Sequence, residues 1–329
     1  MAGGQERILR RRIRSVDATK KITRAMELIA GSRIVRAQAR VHAARPYSEK
    51  ITAVIANLAA GGAGLDHPLL NEPADVQKVA YVALAADRGL CGGYNNNVLR
   101  ATERAIRADQ AAGRDYEVVL SGKKAAGYFR FRRYRIHAAF QGFSDQPSYE
   151  DARRVAAAAG ELFYTGEVQQ VRVVYTRFLS LGSQEVAIVP FMPLDRAALG
   201  VTAPGDDATP TSGLYEFEPE PAVILERLLP RYAEARLYAA LLEAAASEHA
   251  ARQRAMKAAT DNADDLKTHL TRVMNRARQD AITTEIMEIV GGAEALKKGS
   301  RLIAEDLLED RIEGRRTEVF SQRRQEPRS

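Results

Sequence analysis

The chain has 329 residues and a formal net charge of +7, which allows one large or two ordinary domains and is compatible with an acidic partner. A single cysteine, Cys91, excludes an intrachain disulfide and a zinc site built from several cysteines, and it suits a cytoplasmic setting. No stretch reaches the roughly 18 apolar residues that cross a bilayer and no apolar signal core begins the chain, so we expect membrane association only through a partner.

The positive charge is concentrated in a predicted N-terminal helix that runs from about Glu6 to Leu58. Residues 1–46 contain twelve Lys or Arg residues and three Asp or Glu residues, whereas the remainder of the chain is close to neutral. No proline precedes Pro46, and we expect this proline to be the first break in the helical pattern.

Heptad spacing in this helix predicts a coiled-coil seam, although charged residues interrupt one of its two series. The two series are Leu9, Val16, Thr23, Ala30, Ala37, Ala44 and Ile13, Lys20, Glu27, Ile34, Val41. A separate apolar ridge of Ile22, Met26 and Ile29 predicts that several neighbours enclose the helix.

The middle of the chain alternates between strand-like and helix-like patterns, which favours an α/β domain with a partly parallel sheet. The predicted strands are 79–85, 117–121, 171–179 and 185–192, the last two as a possible hairpin, and the predicted helices are 98–111, 123–131 and 151–163.

A glycine-rich turn, DRGLCGG at 87–93, follows the first strand and precedes a helix, where a phosphate cradle could form. Neither the G-x-G-x-x-G spacing nor the Gly-Lys-Ser/Thr ending of a P-loop is present, so we interpret the segment as a structural turn.

A loop over residues 200–221, rich in proline, leads into a second long helix that is predicted from about Glu220 to Val290. Pro230 predicts a start or a kink near the beginning of this helix. A seam is expected along Ala259, Leu266, Val273 and Ala263, Leu270, Ala277, with small residues that allow close approach. We expect the neighbouring apolar residues to lie largely off that seam; they are Met256, Met274, Ile282, Ile286, Met287 and Ile289.

The sequence patterns indicate a mechanical role more than a catalytic one. The histidines are scattered without metal-ligand spacing, and no nucleophile–base arrangement stands out. Helices with heptad spacing at the two ends of a chain can wind into one antiparallel rod, and the second helix would extend over roughly 90 Å. A stalk that dimerises or spaces domains stays open as an interpretation, as does phosphate binding by the arginines at 10–14.

Three separated blocks of this sequence resemble the gamma subunit of F-type ATP synthases, the rotor shaft. They are RRIRSVDATKKITRAMELIA at 11–30, DRGLCGGYNNN at 87–97, and SEHAARQRAMKAATDNA at 247–263, the last continuing through NRARQ at 275–279 and ITTEIMEIVGGA at 282–293. Their order and spacing match the family over about residues 3–296.

The resemblance implies an α/β central domain, Rossmann-like, plus a long antiparallel coiled coil formed by the N- and C-terminal helices. The implied segments are 1–60 (first helix), 76–195 (α/β domain), 196–221 (linker or foot), 222–296 (second helix) and 297–329 (charged extension). It further implies one copy per complex, inside a ring of three alpha and three beta subunits and beside the epsilon subunit, on the membrane ring of c subunits. The shaft would carry proton-driven rotation to the catalytic sites, with no active site, cofactor or nucleic acid of its own.

Positions that match the family motifs imply contact residues. Arg24, Met26, Arg88, Arg278 and Gln279 would meet a beta subunit, and Tyr215 and Glu218 would meet the c ring. The abundant Arg and Ala suggest a bacterium with a GC-rich genome, which would place the complex, peripherally, on the cytoplasmic face of the cell membrane.

The family usually ends near the Gly-Ala block, whereas this chain continues over residues 297–329. Leu302, Ile303, Leu307, Leu308 and Ile312 predict a short amphipathic helix, and disorder is predicted from Thr317 to Ser329. We interpret the extension as a harmless tail, with a brake on reverse rotation as the other hypothesis.

Two alternatives come from other functional classes. A basic coiled-coil nucleic-acid-binding protein would account for the N-terminal arginines and predicts salt-dependent binding. A nucleotide-dependent enzyme would place ATP or NAD on the central domain. Neither alternative accounts for the three blocks.

Overall fold

The computed structural model describes residues 2–60, 67–196, 199 and 218–322. Its helices are α1 (Ala2–Ala60), α2 (Tyr94–Ala111), α3 (Lys123–Phe131), α4 (Tyr149–Tyr164) and α5 (Pro221–Gln322), and a 3-10 turn spans Pro68–Leu70. Its strands are β1 (Lys78–Leu84), β2 (Asp115–Ser121), β3 (Ala138–Phe140), β4 (Gln170–Phe178) and β5 (Gln184–Met192). In the described part of the chain, no helix is both long enough and apolar enough to cross a bilayer.

The five strands form one mixed sheet in the order β3-β2-β1-β4-β5. β1 lies parallel to β2 and β4, β2 lies parallel to β3, and β5 closes the sheet as an antiparallel hairpin with β4. The predicted α/β domain and hairpin are therefore confirmed. β3 has only three residues, too few for an alternating pattern, and the sequence did not predict it.

Two apolar layers cover the two faces of the sheet. Val79, Tyr81 and Ala83 of β1 face α2 and α3, whereas Ala80 and Val82 face α4 and parts of the long helices. Because β1 is covered on both faces, it reads in the sequence as an uninterrupted apolar run.

Both helix-internal prolines leave the long helices continuous. Pro46 is exposed inside α1, and the buried Ile51, Ile55 and Leu58 hold the following turns against the core. Pro230 lies inside α5, next to the buried Leu229 and Tyr232. The predicted break at Pro46 and the predicted start at Pro230 are therefore wrong, because packing outweighs the cost of about 3 kcal/mol of an internal proline.

The chain divides into two compact units. We call Lys21–Asp261 the central unit, which holds the sheet, and we call the described residues up to Lys20 and from Asn262 onward the terminal unit. In the terminal unit, α1 and α5 run antiparallel, because Asp17 pairs with Lys267 at 2.5 Å and Lys20 pairs with Asp264 at 2.6 Å.

The seam predicted on α1 is confirmed by burial. Thr23, Ala30 and Ala37 of the first series are buried, as are Glu27 and Ile34 of the second. Small seam residues permit close contact, since the hydroxyl groups of Thr23 and Thr260 lie 2.8 Å apart.

The seam predicted on α5 is half wrong. Ala263 and Leu270 are buried as expected, but Leu266 and Val273 are 42% and 38% exposed. Met256 is buried and Met274 is half-buried, so both belong to the covered stripe and not outside it. Ile282, Ile286, Met287 and Ile289 are exposed and lie off the covered stripe, as predicted for that seam.

The end of α5 departs from the prediction. α5 continues without interruption to Gln322, so the disorder predicted from Thr317 is wrong for residues 317–322, and the predicted short helix is the continuation of α5. Residues 323–329 lie outside the described residues.

Candidate functional site

The first candidate surface is an exposed apolar strip on α1, beside its seam. Ile22 and Ile29 of this strip are 61% and 53% exposed, and Leu28 is exposed on another side of the helix. Met26 is half-buried at the edge of this strip. Apolar side chains that stay exposed next to a covered seam are typical of a surface that binds another protein.

Arg24 lies on a different side of α1 and is held by an ion pair. Its Nη1 donates to both carboxylate oxygens of Glu27 at 2.9 Å, one helical turn further along. Glu27 is a buried seam residue, so the pair fixes the guanidinium close to the helix surface. Because Arg24 and Met26 are two residues apart on a helix, they point to different sides of α1, and the structure does not bring them together on one surface.

The second candidate surface is the turn at residues 87–93, which is built around the carboxylate of Asp87. That carboxylate accepts hydrogen bonds from the backbone N–H groups of Lys123 at 2.9 Å, Gly142 at 2.8 Å and Ser144 at 3.2 Å. Lys123 begins α3, so the carboxylate of Asp87 ties the turn to the N-terminus of that helix and to the loop after β3. These contacts favour the structural interpretation of the turn.

The turn is also anchored to α5. Arg252 donates to Glu248 at 2.6 Å and to the carbonyl of Gly89 at 3.4 Å, and the Tyr94 hydroxyl donates to the carbonyl of Ala244 at 3.1 Å. Burial raises the pKa of the Glu248 carboxyl group, and Arg252 partly offsets this effect. Burial likewise raises the pKa of Cys91.

The anchored turn has two exposed side chains, Arg88 and Leu90. Leu90 is 63% exposed and has a backbone φ of 61°, in the left-handed region that costs a non-glycine residue about 1–2 kcal/mol. The sequence analysis singled out Arg88 and missed Leu90, because a single sequence carries no signal of a positive φ at leucine.

α5 packs against the switch point of the sheet. β2 and β4 lie on opposite sides of β1, and ligands of open α/β sheets bind beyond the carboxyl ends of such strands. Here the Ser247 hydroxyl of α5 donates to the carbonyl of Thr176 at the end of β4, at 3.0 Å. This contact ties α5 to the sheet and leaves an open cavity of about 390 Å³ beside it.

In the terminal unit, Arg278 and Gln279 are exposed on α5 next to the half-buried Ala277. The carbonyl of Gln279 accepts a hydrogen bond from the Thr283 hydroxyl at 2.9 Å. Both side chains therefore lie outside the covered stripe, where another protein can reach them.

The comparisons with known proteins decide the family. A family model described as ATP synthase matches residues 5–296. The chain is 50% identical to the ATP synthase gamma chain of Kineococcus radiotolerans over 303 residues, which cover 91% of this chain and 99% of that protein. It is 51% identical to the ATP synthase gamma chain of Frankia casuarinae over 304 residues, 90% of this chain and 99% of that protein.

The chain belongs to the ATP synthase gamma chain family. The resemblance inferred from the three sequence blocks is confirmed, and so is the function at this level, the gamma subunit of ATP synthase and rotor of its central stalk. The nucleic-acid-binding alternative is not supported.

A solved structure agrees on the fold. Euglena gracilis mitochondrial ATP synthase, OSCP/F1/c-ring in rotational state 3, contains a chain with a TM-score of 0.64 and 19% identity, covering 91% of this chain and 96% of that one. That chain shares the fold of this one, in which a central sheet domain lies between long N- and C-terminal helices. The family match stops at residue 296, so the rest of α5 lies beyond it.

The residues expected at the c ring are only partly described. Glu218 is exposed three residues before α5 begins, whereas Tyr215 lies outside the described residues. Within the described part of the chain, no group of three His, Cys, Asp or Glu side chains could hold a metal ion.

Proposed function

We propose that this gamma chain is a shaft whose two long helices turn inside a ring of three alpha and three beta subunits. The observation that carries the proposal is that each long helix has both a buried stripe and exposed apolar residues. One stripe of each helix is buried, while Ile22 and Ile29 on α1 and Ile286 and Ile289 on α5 stay exposed. Such a helix has apolar surface left for a surrounding partner.

In this proposal the shaft acts by unequal contact. Proton flow turns the membrane ring of c subunits, and the off-axis helices then touch each beta subunit differently. Only a contact that differs between conformational states can shift the equilibrium between them. The open and closed nucleotide states of each beta subunit would follow the rotation for this reason.

We also propose which subunit individual residues contact. Arg24, Met26 and Arg88 contact a beta subunit from the central unit, and Arg278 and Gln279 contact a beta-subunit loop by hydrogen bonds. The exposure of the Arg24, Arg88, Arg278 and Gln279 side chains supports these assignments. Tyr215 and Glu218 form a foot on the c ring, and the epsilon subunit binds beside the 76–195 domain.

The remaining features of the proposal concern the whole complex. The chain is present in one copy, is non-catalytic, and binds no cofactor, because nucleotide chemistry belongs to the alpha and beta subunits. It is peripheral, on the cytoplasmic face of a bacterial membrane, and reaches that membrane through the c ring.

Reconstitution with alpha and beta subunits tests the proposal. We expect a complex of three alpha, three beta and one gamma chain whose ATPase activity requires this chain. Light scattering after size-exclusion chromatography gives the stoichiometry. If the alpha and beta subunits assembled and hydrolysed ATP equally well without the chain, the shaft function would be wrong.

A further inference from the structure

A small basic cavity lies in the central unit, between α1, the loop that follows β3, and α5. Its volume is about 170 Å³, and its charged or titratable lining consists of Arg33, Arg36, Arg40, Asp145 and His249. One water molecule in the liquid occupies about 30 Å³. The cavity therefore has room for several waters or one tetrahedral anion.

The arginines make this cavity electropositive. They lie three and four residues apart, so they share one face of α1. Arg33 pairs with the carboxylate of Asp145 at 2.6 Å, and Arg40 donates to the carbonyl of Pro147 at 2.5 Å. Each guanidinium has five N–H donors, so these contacts leave donors for a ligand. With Asp145 counted, a formal excess of two positive charges faces the cavity, which matches a dianion.

His249 fixes the loop side of the cavity against α5. The residue is 1% exposed, and its Nε2 lies 3.2 Å from the carbonyl oxygen of Asp145. A carbonyl oxygen only accepts, so Nε2 carries the proton and donates to it. This hydrogen bond holds Asp145 in place beside Arg33.

We propose that this cavity binds a phosphate dianion, held by Arg33, Arg36 and Arg40. The shared chemistry is the phosphate group, whether it comes as free phosphate or at the end of a nucleotide. A bound ion joins the arginines of α1 next to the loop that holds Asp145. The site belongs to the central unit alone and stands apart from the rotor function.

Isothermal titration of the purified full-length chain with sodium phosphate, at pH 7.5 and constant ionic strength, tests the proposal. We expect saturable binding to one site. Arg36→Gln should weaken it by about tenfold or more, because a charge-assisted hydrogen bond is lost. Arg36 is exposed, so this change leaves folding intact. Arg12→Gln removes the same charge from an exposed position of α1 outside the cavity and should leave binding unchanged.

Two results would overturn the site itself: no saturable binding, or equal loss in the Arg36 and Arg12 variants. Titration with ADP distinguishes the two sources of the phosphate group. If ADP binds more weakly than free phosphate, free phosphate is the ligand. If ADP binds more tightly than free phosphate and Arg36→Gln removes that binding, the ligand is a nucleotide phosphate.

Discussion

At the scale of single residues, the turn beside Asp87 depends on a glycine that no other residue can replace. Gly122 has φ 97° and ψ 139°, and a Cβ added there would lie 2.1 Å from the carbonyl oxygen of Ala85. The backbone at Gly122 also donates to the carbonyl of Phe140 at 2.8 Å. At Gly122 the sheet, the turn and α3 therefore come so close together that no side chain fits.

Gly122→Ala should destabilise the chain by at least about 3 kcal/mol, since it adds a collision with backbone to an unfavourable φ. Gly113 is the matched control, because its φ is 80° and an added Cβ meets nothing within 4 Å. Gly113→Ala should cost only about 1–2 kcal/mol. Urea unfolding followed by circular dichroism measures both, and equal losses would contradict the role of the collision.

His249 should make stability depend on pH. Burial lowers its pKa below 6.5; Arg252 and Arg33 lower it too, and Asp145 opposes them. In acid, the unfolded chain takes up this proton first, so His249 weakens the fold as pH falls below about 6.5.

His249→Gln keeps an N–H donor and removes the titration. The free energy of unfolding of the unaltered chain should therefore fall relative to that of the variant between about pH 6.5 and 5, by at most about 1.4 kcal/mol per pH unit. Parallel pH profiles for the two chains would show that the imidazole does not titrate differently in the folded state.

Met26→Lys tests the exposed strip on α1. A lysine at this half-buried edge adds a charge that finds a partner in some rotary states and not in others. We expect fewer protons pumped per ATP hydrolysed in reconstituted vesicles. Ala25→Lys adds the same charge at an exposed neighbouring position and serves as the control. Unchanged pumping in the Met26 variant would remove this residue from the coupling surface.

The sequence predicts part of the residue-scale picture. The DRGLCGG pattern gave the position of the turn and, by lacking P-loop spacing, its structural character. It could not give Leu90 its positive φ or assemble Arg33, Asp145 and His249, because these three residues come from segments far apart in the chain.

At the scale of elements, the contact between α1 and α5 in the terminal unit has a defined register. Asp17 and Lys20 are three positions apart, and their partners Lys267 and Asp264 are three positions apart in the opposite direction. Hydrogen bonding to Asp17 raises the pKa of Lys267. Extending this register places Ala2, where α1 begins, opposite Ile282.

A double-mutant cycle on Asp17→Asn and Lys267→Gln tests the register. The two changes should be non-additive at low salt, and the coupling should fade as salt rises, because exposed charges are screened. Asp17→Asn combined with Lys298→Gln, a change on the same helix beyond the end of α1, should be additive. Additivity in the first cycle would mean a different register in solution.

The two seams show where element-scale prediction succeeds. On α1, Ile34 and the small residues of the seam leave one plausible stripe, and burial follows it. α5 is rich in alanine, so several stripes have nearly equal hydrophobicity, and the identity of the partner helix selects among them. The predictions at Pro46 and Pro230 failed for a related reason. Helix propensity depends on the local sequence, whereas the packing that overrides it comes from residues far apart in the chain.

At the scale of the whole molecule, the chain extends beyond its family. The family match ends at residue 296, whereas α5 continues to Gln322. The sequence showed this extension by its length, and it underestimated the helix because charged, alanine-poor residues lower the expectation of order.

Truncation after Leu296 distinguishes a harmless tail from a brake. We expect the truncated chain to assemble with alpha and beta subunits and to support ATP hydrolysis within about twofold of the full chain, because the family-matched region is intact. Hydrolysis and synthesis are measured in the same vesicles. A several-fold rise in hydrolysis with unchanged synthesis would instead identify the extension as a brake on reverse rotation.

The register of the terminal unit has a mechanical consequence. Among the described side chains of residues 282–300, none is buried, so this part of α5 packs against no other described element. Two packed helices resist twisting through the contacts between them, whereas a lone helix resists only through its own backbone hydrogen bonds. Torsional compliance is therefore concentrated beyond Ile282, where a sudden torque would be absorbed as elastic twist and released gradually.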